Sequence, residues 1–273
     1  MLAQKLYRFL LRRPFYRGQD RIFNYLFKSN RLGKKPQIVS PITGDFKVNC
    51  NPLTWIGAKI IFTGEYESEL KKIFKSNINK GDYILDVGAN IGFHTLYFAE
   101  LTGKNGNVSA FEPVPHNFEA LNFNVNLNDF KNIITKQIAL GNKNEQLNIA
   151  ADVNHINPGS YNLFDKKGDT LINCAIGDEI IGEDRVDFIK IDVEGYESFV
   201  IEGLFQTIKK NRPKIIFEYD KYYHHKTGLP ENHILLLLHS LNYHFFHINQ
   251  KGTKVLDDFQ NIKSGNILAT PND

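Results

Sequence analysis

Residues 86 to 99, DVGANIGFHTLYFA, bring an apolar strand to an acid, turn on glycine and continue as a helix. That unit constrains the chain most, because a strand feeding straight into a helix must pack that helix back onto the sheet it left. The same alternation continues downstream. Strands are expected at DYILDVG (82–88), GNVSAFEP (106–113), NIITKQIAL (132–140), RVDFIKIDVEG (185–195) and PKIIFEYD (213–220), with NYHFFHI and NILAT closing the chain. Helices are expected over Ile91 to Leu101 and over 116–128, where Phe118, Leu121 and Val125 share a face. Two more are expected, one running to about Lys210 and one over 231–241. The fold class is therefore α/β, a doubly wound sheet with helices on both faces. Residues 142–184 are polar, rich in asparagine and too long for a simple connection, the kind of insertion that is functional or mobile.

Four expected strand ends carry an acid: Asp86, Glu112, Asp192 and Glu218. In such sheets ligands bind outside the carboxyl ends of the strands, where the strand order reverses. A dinucleotide site needs G-x-G-x-x-G, and from Gly88 the second and third places hold Asn90 and Phe93, so that reading fails. A mouth lined with carboxylates would also repel a pyrophosphate. It suits a cofactor with cationic parts and a ribose diol, and S-adenosylmethionine has a sulfonium, an ammonium and a ribose. Glu112 is placed to accept hydrogen bonds from both ribose hydroxyls. Gly88 lets the backbone approach the methionine end without a side chain between. Asp86 is expected to reach the ammonium, directly or through water. The competing reading is a generic glycine turn with solvated acids.

The segments DVGANIGFHTLYFA, AFEPVPHNFEALNFNVNLN, ALGN and DFIKIDVEGYESFVIEG resemble the FkbM family of S-adenosylmethionine-dependent methyltransferases, in order over roughly 62–270. The resemblance implies a Rossmann-like, mostly parallel seven-stranded sheet with its last strand antiparallel, and methylation of a hydroxyl on a sugar, glycan or secondary metabolite. It puts the cofactor loop on Asp86, Gly88, Asn90 and Gly92 and the ribose acid on Glu112. The quoted motifs also bring Ala89, Pro113, Ala139 and Leu140 among the expected cofactor contacts. Asn90 departs from the glycine of the broader methyltransferase pattern and agrees with this family's GAN-x-G form. Residues 1–50, a basic helical extension, and the 142–184 insertion lie outside what the resemblance explains. The methyltransferase domain is expected over 51–273.

A hydroxyl attacking a methyl group must be aligned with it and benefits from a base. The candidates are Asp192, Glu194, Glu218 and His94, with Asp192 favoured because the fourth strand ends at the reacting region. Asp192 could instead cap the following helix. Lys190 shares its strand face, and pairing with it would depress the Asp192 pKa and weaken the base argument. Asp192, Glu218 and Asp220 are also the hard oxygens from which a Mg²⁺ site would be built. Paired acids equally serve substrate hydroxyls without metal, so no metal ligands are assigned. Six of the nine histidines fall within 224–247, but no spacing among them matches a zinc pattern.

Charge is divided unevenly. Residues 1–35 carry ten Lys or Arg against one acid, Asp20, whereas the whole chain is only +3. Lys5, Arg8 and Arg12 fall on one helical face, Leu2, Leu6 and Phe9 on another. Pro14 breaks the helix, and Ile22, Phe23, Leu26 and Phe27 form a second apolar set. A basic amphipathic helix can lie on anionic lipid or hold an acidic partner, or it packs on the body with a solvated basic face. Two isolated cysteines, Cys50 and Cys174, and no membrane span or secretory signal point to the cytoplasm, with peripheral contact at the membrane inner face through 1–35. The net acidic body and the lack of an N-P-P-Y motif argue against nucleic acid. A small-molecule or glycan acceptor is the expected partner; the alternative is a non-catalytic cofactor-binding scaffold docked on a membrane or glycan-assembly complex.

Overall fold

In the computed structural model, which describes residues 2–13, 16–150, 168 and 170–272, the apolar runs around Asp86 become the centre of a large sheet. Helices α1 (Leu2–Leu11) and α2 (Gln19–Lys28) open the chain, and β1 (Gln37–Val39) pairs antiparallel with β2 (Val48–Cys50). Helices α3 (Trp55–Thr63) and α4 (Ser68–Asn77) lead into β3 (Tyr83–Val87), α5 (Phe93–Thr102) and β4 (Asn107–Phe111). Then come α6 (Pro115–Asn126), β5 (Ile133–Lys136), β6 (Ala139–Gly141), β7 (Glu145–Ile149), β8 (Thr170–Ile176) and α7 (Gly177–Ile181). The C-terminal third holds β9 (Phe188–Ile191), α8 (Glu197–Gly203), α9 (Phe205–Asn211), β10 (Lys214–Tyr219) and α10 (Lys221–Lys226). It ends with α11 (His233–Ser240), β11 (Tyr243–Asn249), β12 (Gly252–Val255) and β13 (Gly265–Pro271).

The main sheet runs β12-β11-β13-β10-β9-β3-β4-β5. Strands β5, β4, β3, β9 and β10 are parallel, and β13 lies antiparallel between β10 and β11. Seven of these strands are the expected Rossmann-like set with its last strand antiparallel. The eighth, β12, is a short addition that folds back on β11 beyond the edge. Order reverses between β3 and β9, so the carboxyl ends of those two strands form the crevice.

Side-chain alternation explains why the sheet is covered on both faces. Leu85, Val87, Ile189, Ile191, Ile215 and Phe217 point into one core with α8 and α11. Ile84, Phe188 and Ile216 point into the other, with α3, α4 and α5. Leu11, Phe23, Leu26, Phe46 and Val48 belong to this second core, so the N-terminal segment helps cover one face of the sheet.

Three expectations change. NIITKQIAL is not one strand: β5 is the edge of the main sheet, and β6 pairs with β8 in a separate three-stranded sheet of order β6-β8-β7. The chain leaves the sheet edge because Ala139 to Gly141 are buried beneath α8, whereas β5 is half exposed. The helix expected to reach Lys210 is two helices, α8 and α9, joined at Leu204. The described parts of 142–184 are regular (β7, β8 and α7), while 151–167 and 169 lie outside the described residues. The break expected at Pro14 also lies outside them; α1 ends at Leu11.

Gly203 shows how tightly the small sheet is joined to the domain. A Cβ built there would sit 1.8 Å from the Gly141 carbonyl oxygen. Alanine normally favours a helix over glycine by about 1 kcal/mol. Gly203→Ala is nevertheless expected to destabilise the protein by about 1–3 kcal/mol, read from the urea midpoint. A stabilised variant would show that α8 and β6 are not in contact.

Candidate functional site

Strand register assembles the site. Asp86 on β3 is the direct neighbour of Lys190 on β9, on the same face. Asp192 follows two residues later, where a strand returns to that face. Ile216 pairs with Lys190 and Phe217 with Ile191, which carries Glu218 alongside Asp192. The Lys190 ammonium lies 3.2 Å from Asp192 and 3.7 Å from Asp86, and donates to the Gly88 carbonyl at 3.2 Å. Its two carboxylates outweigh burial and raise its pKa. Burial pushes the Asp192 carboxyl up, but Lys190 dominates and holds it below its ordinary range.

Outside these strand ends lies a cavity of about 220 Å³. Gly88, Asn90, Glu112, Pro113, Ala139, Leu140, Asp192, Glu194 and Glu218 line it, so most of the candidates come together. Asp86 does not line it: it is fully buried behind the wall, accepting from the Thr95 hydroxyl at 2.6 Å. Gly92 sits at the start of α5 against Leu121. Ala89 and His94 border a smaller adjoining cavity that shares Gly88, Asn90 and Asp192 with the first.

The glycine turn is built around close approach. Gly88 has φ 80°, and a Cβ there would lie 1.9 Å from the Asp192 carbonyl oxygen, so no side chain fits. Glu112 is fixed by the same turn: its carboxylate accepts from the Asn90 N–H at 2.8 Å and the Val114 N–H at 3.0 Å. Burial pushes it up to about 7 in spite of those bonds. Among the described residues six non-glycine residues have positive φ, and three of them, Glu67, Asn90 and Glu194, line this cavity. Such conformations cost about 1–3 kcal/mol each and concentrate at functional sites.

The remaining acids differ in their partners. Glu67 binds the His94 ring at 2.9 Å, and His94 sits among Tyr66, Phe74, Phe93 and Phe98. Glu218 lies alongside Asp192 at the ends of β10 and β9. Burial, then Asp192, Glu194 and Glu197, push Glu218 up to about 9. Glu194 is pushed to about 8 by burial and then by Asp192. The lining is rich in acceptors, and the buried Asn90 Oδ1 has no partner among the described residues. Against it stand the apolar Phe111, Val114, Ile138 and Leu140. A ligand that fits has several donors or positive charge and one flat apolar part.

Asp220, grouped with Asp192 and Glu218 from the sequence, is used elsewhere: its carboxylate caps α10 by accepting from the Tyr222 and Tyr223 N–H groups. Among the described residues no group of three or more His, Cys, Asp or Glu is arranged to hold a metal ion. Sequence reasoning missed Ile56, Tyr66 and Glu67, which reach the cavity from α3 and the turn before α4. Tyr66 and Glu67 lie in GEYESEL (64–70), inside the span of the family resemblance, whereas Ile56 lies ahead of it.

The family described as Methyltransferase FkbM domain matches residues 86–245. Hexuronic acid methyltransferase AglP of Haloferax volcanii is 26% identical over 146 residues, 52% of this chain and 58% of that protein. Methyltransferase 1 of Beauveria bassiana is 24% identical over 189 residues, 60% of this chain and 74% of that one. Among solved structures, Methyltransferase FkbM from Methylobacillus flagellatus KT aligns over 78% of this chain and 52% of its own, with 18% identity and a TM-score of 0.45. The chain thus spans less than two thirds of the AglP protein's length.

The crowded carboxylates make stability depend on pH. A carboxyl that titrates near 4.5 when exposed but near 8 or 9 when folded binds more protons in the folded state. Stability therefore falls as pH rises, beginning above about 4.5 and ending above about 9. Glu218→Gln removes one of these titrations. Its melting temperature is expected to gain on wild type steadily from roughly pH 5 to pH 9. Parallel profiles would mean that Glu218 titrates as an ordinary carboxyl.

Proposed function

The chain belongs to the methyltransferase FkbM domain family, and from that premise we propose that it transfers the methyl group of S-adenosylmethionine to a hydroxyl of a sugar, glycan or secondary metabolite. The observation that carries this reading is the acceptor-rich cavity at the carboxyl ends of β3, β4, β9 and β10. Its donor-poor lining fits a ribose diol, an ammonium and a sulfonium. Bound there, the cofactor would supply an already activated methyl group. We assign Glu112 to the ribose, the Gly88–Asn90 turn to the methionine part, and Phe111, Val114, Ile138 and Leu140 to the adenine.

The chain's own residues then have to orient the acceptor and remove its proton. Asp192 is a weak base, because Lys190 favours its charged form. Glu218 lies alongside Asp192, and Glu67 is bound to His94. Glu194 lines the cavity with no protein partner among the described residues, and its carboxyl near 8 is matched to a proton transfer near neutral pH. We therefore assign Glu194 as the base and Asp192 as the group that orients the acceptor hydroxyl. Asp192, which keeps its charge, would repel a carboxylate, and the lysine beside it is already engaged. This favours a neutral or cationic acceptor over a uronate such as the one named for the Haloferax protein. We place the work in the cytoplasm, with residues 1–35 touching a membrane inner face and 51–273 acting as the methyltransferase domain.

Two measurements test the reading. Glu112→Ala removes two charge-assisted hydrogen bonds, each worth about 1.5–3 kcal/mol, so calorimetric affinity for S-adenosylmethionine is expected to fall at least tenfold. Wild-type affinity is expected to rise with pH through about 7, since only the ionised Glu112 accepts from both hydroxyls. Unchanged affinity would remove Glu112 from the ribose.

Glu194→Gln is expected to lower turnover by roughly 10²-fold or more with cofactor affinity intact. Full activity in this variant would return the base role to Asp192, Glu218 or His94. Tight cofactor binding with no turnover on any neutral or amino sugar acceptor would favour a scaffold.

A further inference from the structure

Helix α1 is apolar on two sides. Leu11 faces inward and is fully buried, with Gln4 and Tyr7 half-buried on the same side. Leu6, Phe9 and Leu10 point the other way and remain 54%, 65% and 45% exposed. A surface helix ordinarily has one apolar stripe, turned toward the core. The outer row of α1 therefore lacks a partner within the described chain.

The helix is firmly held, so this row is a built surface. The Gln19 side chain donates to the Leu11 carbonyl at 2.7 Å and to the Arg13 carbonyl at 3.2 Å. The Arg12 guanidinium turns inward to the carbonyls of Ser40 and Ile61. This corrects the expectation that Arg12 lies with Lys5 and Arg8 on a solvated face: it ties the end of α1 to the loop after β1 and to α3. Beside the outer row stand the exposed Lys5 and Arg13, the latter with its guanidinium 4.6 Å from the Phe9 ring. The segment's single acid, Asp20, is paired with Lys59 of α3, so nothing in the segment opposes its positive charge.

We propose that the outer face of α1 docks on an anionic lipid bilayer, with Leu6, Phe9 and Leu10 entering the interface and Lys5 and Arg13 meeting lipid phosphates. Charge complementarity selects this occupant. An apolar row flanked by cations, on a segment with no free acid, fits headgroups above and acyl chains below. The body carries the opposite net charge, so the field of the whole molecule turns α1 toward a negative surface. Helix α3, on which α1 packs, contributes Ile56 to the cavity, so docking would hold the cleft about one helix layer, roughly 10 Å, behind the lipid. The inference rests on the reading of residues 1–35 as a peripheral contact and is independent of methyl transfer.

Vesicle flotation of the full chain tests it, with no cofactor present. Vesicles of phosphatidylcholine with about one third phosphatidylglycerol are compared with pure phosphatidylcholine, at low and high salt. Wild type is expected to bind the anionic vesicles at least tenfold better, and high salt is expected to weaken that binding. Leu6→Asp combined with Phe9→Asp is expected to abolish binding while leaving the melting temperature unchanged, because both side chains face outward. Lys5→Glu is expected to weaken it several-fold. Absence of wild-type binding at low salt overturns the peripheral contact altogether. Binding that survives the double substitution leaves the contact standing and overturns the role of α1. Failure to bind vesicles, together with dimerisation that the double substitution prevents, would assign the face to a second copy of the chain and overturn the proposal.

Discussion

A buried ammonium organises the centre of this protein. Taking one charged group out of water costs several kcal/mol unless partners compensate. Lys190 meets that requirement with Asp86, Asp192 and the Gly88 carbonyl. These partners come from two neighbouring strands and the turn that follows one of them, so the cation ties together the ends of β3 and β9. Asp86 is thereby a support behind the cavity wall. It holds Lys190 from below and Thr95 of α5 from the side, fixing the helix that begins after the glycine turn.

The same cation sorts the acids of the cavity. Asp192 keeps its charge because Lys190 is adjacent, and a charged Asp192 makes ionisation of Glu194 and Glu218 harder. Neighbouring carboxylates are thus driven apart in proton affinity, which would give the proposed site both an ionised orienting group and a group able to take a proton near neutral pH. Exposed equivalents would all titrate together. The strained backbone at Glu67, Asn90 and Glu194 belongs to the same arrangement. Left-handed conformations in residues with a Cβ persist where the surrounding structure over-determines them. Asn90 illustrates this, since its N–H is fixed on Glu112.

Local periodicity made the sheet legible, because burial on both faces requires apolar runs of strand length ended by turn residues. It also placed Asp86, Glu112, Asp192 and Glu218 at strand ends. What it did not convey was orientation at a distance. Asp86 and Glu112 look equivalent in sequence, yet one lies behind the wall and the other lines it. NIITKQIAL contains no glycine or proline, so nothing in it marks the point where β5 ends and β6 joins another sheet. That division depends on burial beneath α8, whose sequence lies some sixty residues further on. Glu67 and Ile56 reach the cavity from the segment ahead of the glycine turn, where no spacing marks them as site residues. Arg12 reads as a surface cation from helical spacing alone, because carbonyls of other segments leave no trace in the pattern.

Gly88 sets the tolerance of the whole crevice. Its missing side chain lets the turn after β3 lie against the backbone of Asp192, at a separation no Cβ would permit. The loop assigned to the cofactor and the loop assigned to the acceptor are therefore in backbone contact, and Lys190 spans them both through Gly88 and Asp192. In-line displacement demands that donor and acceptor groups be fixed relative to one another to within a fraction of an ångström. Two independent loops would each contribute their own motion to that distance. Here the backbone contact and the shared cation tie them together, and Glu194, three residues beyond Ile191, follows directly from the same joint.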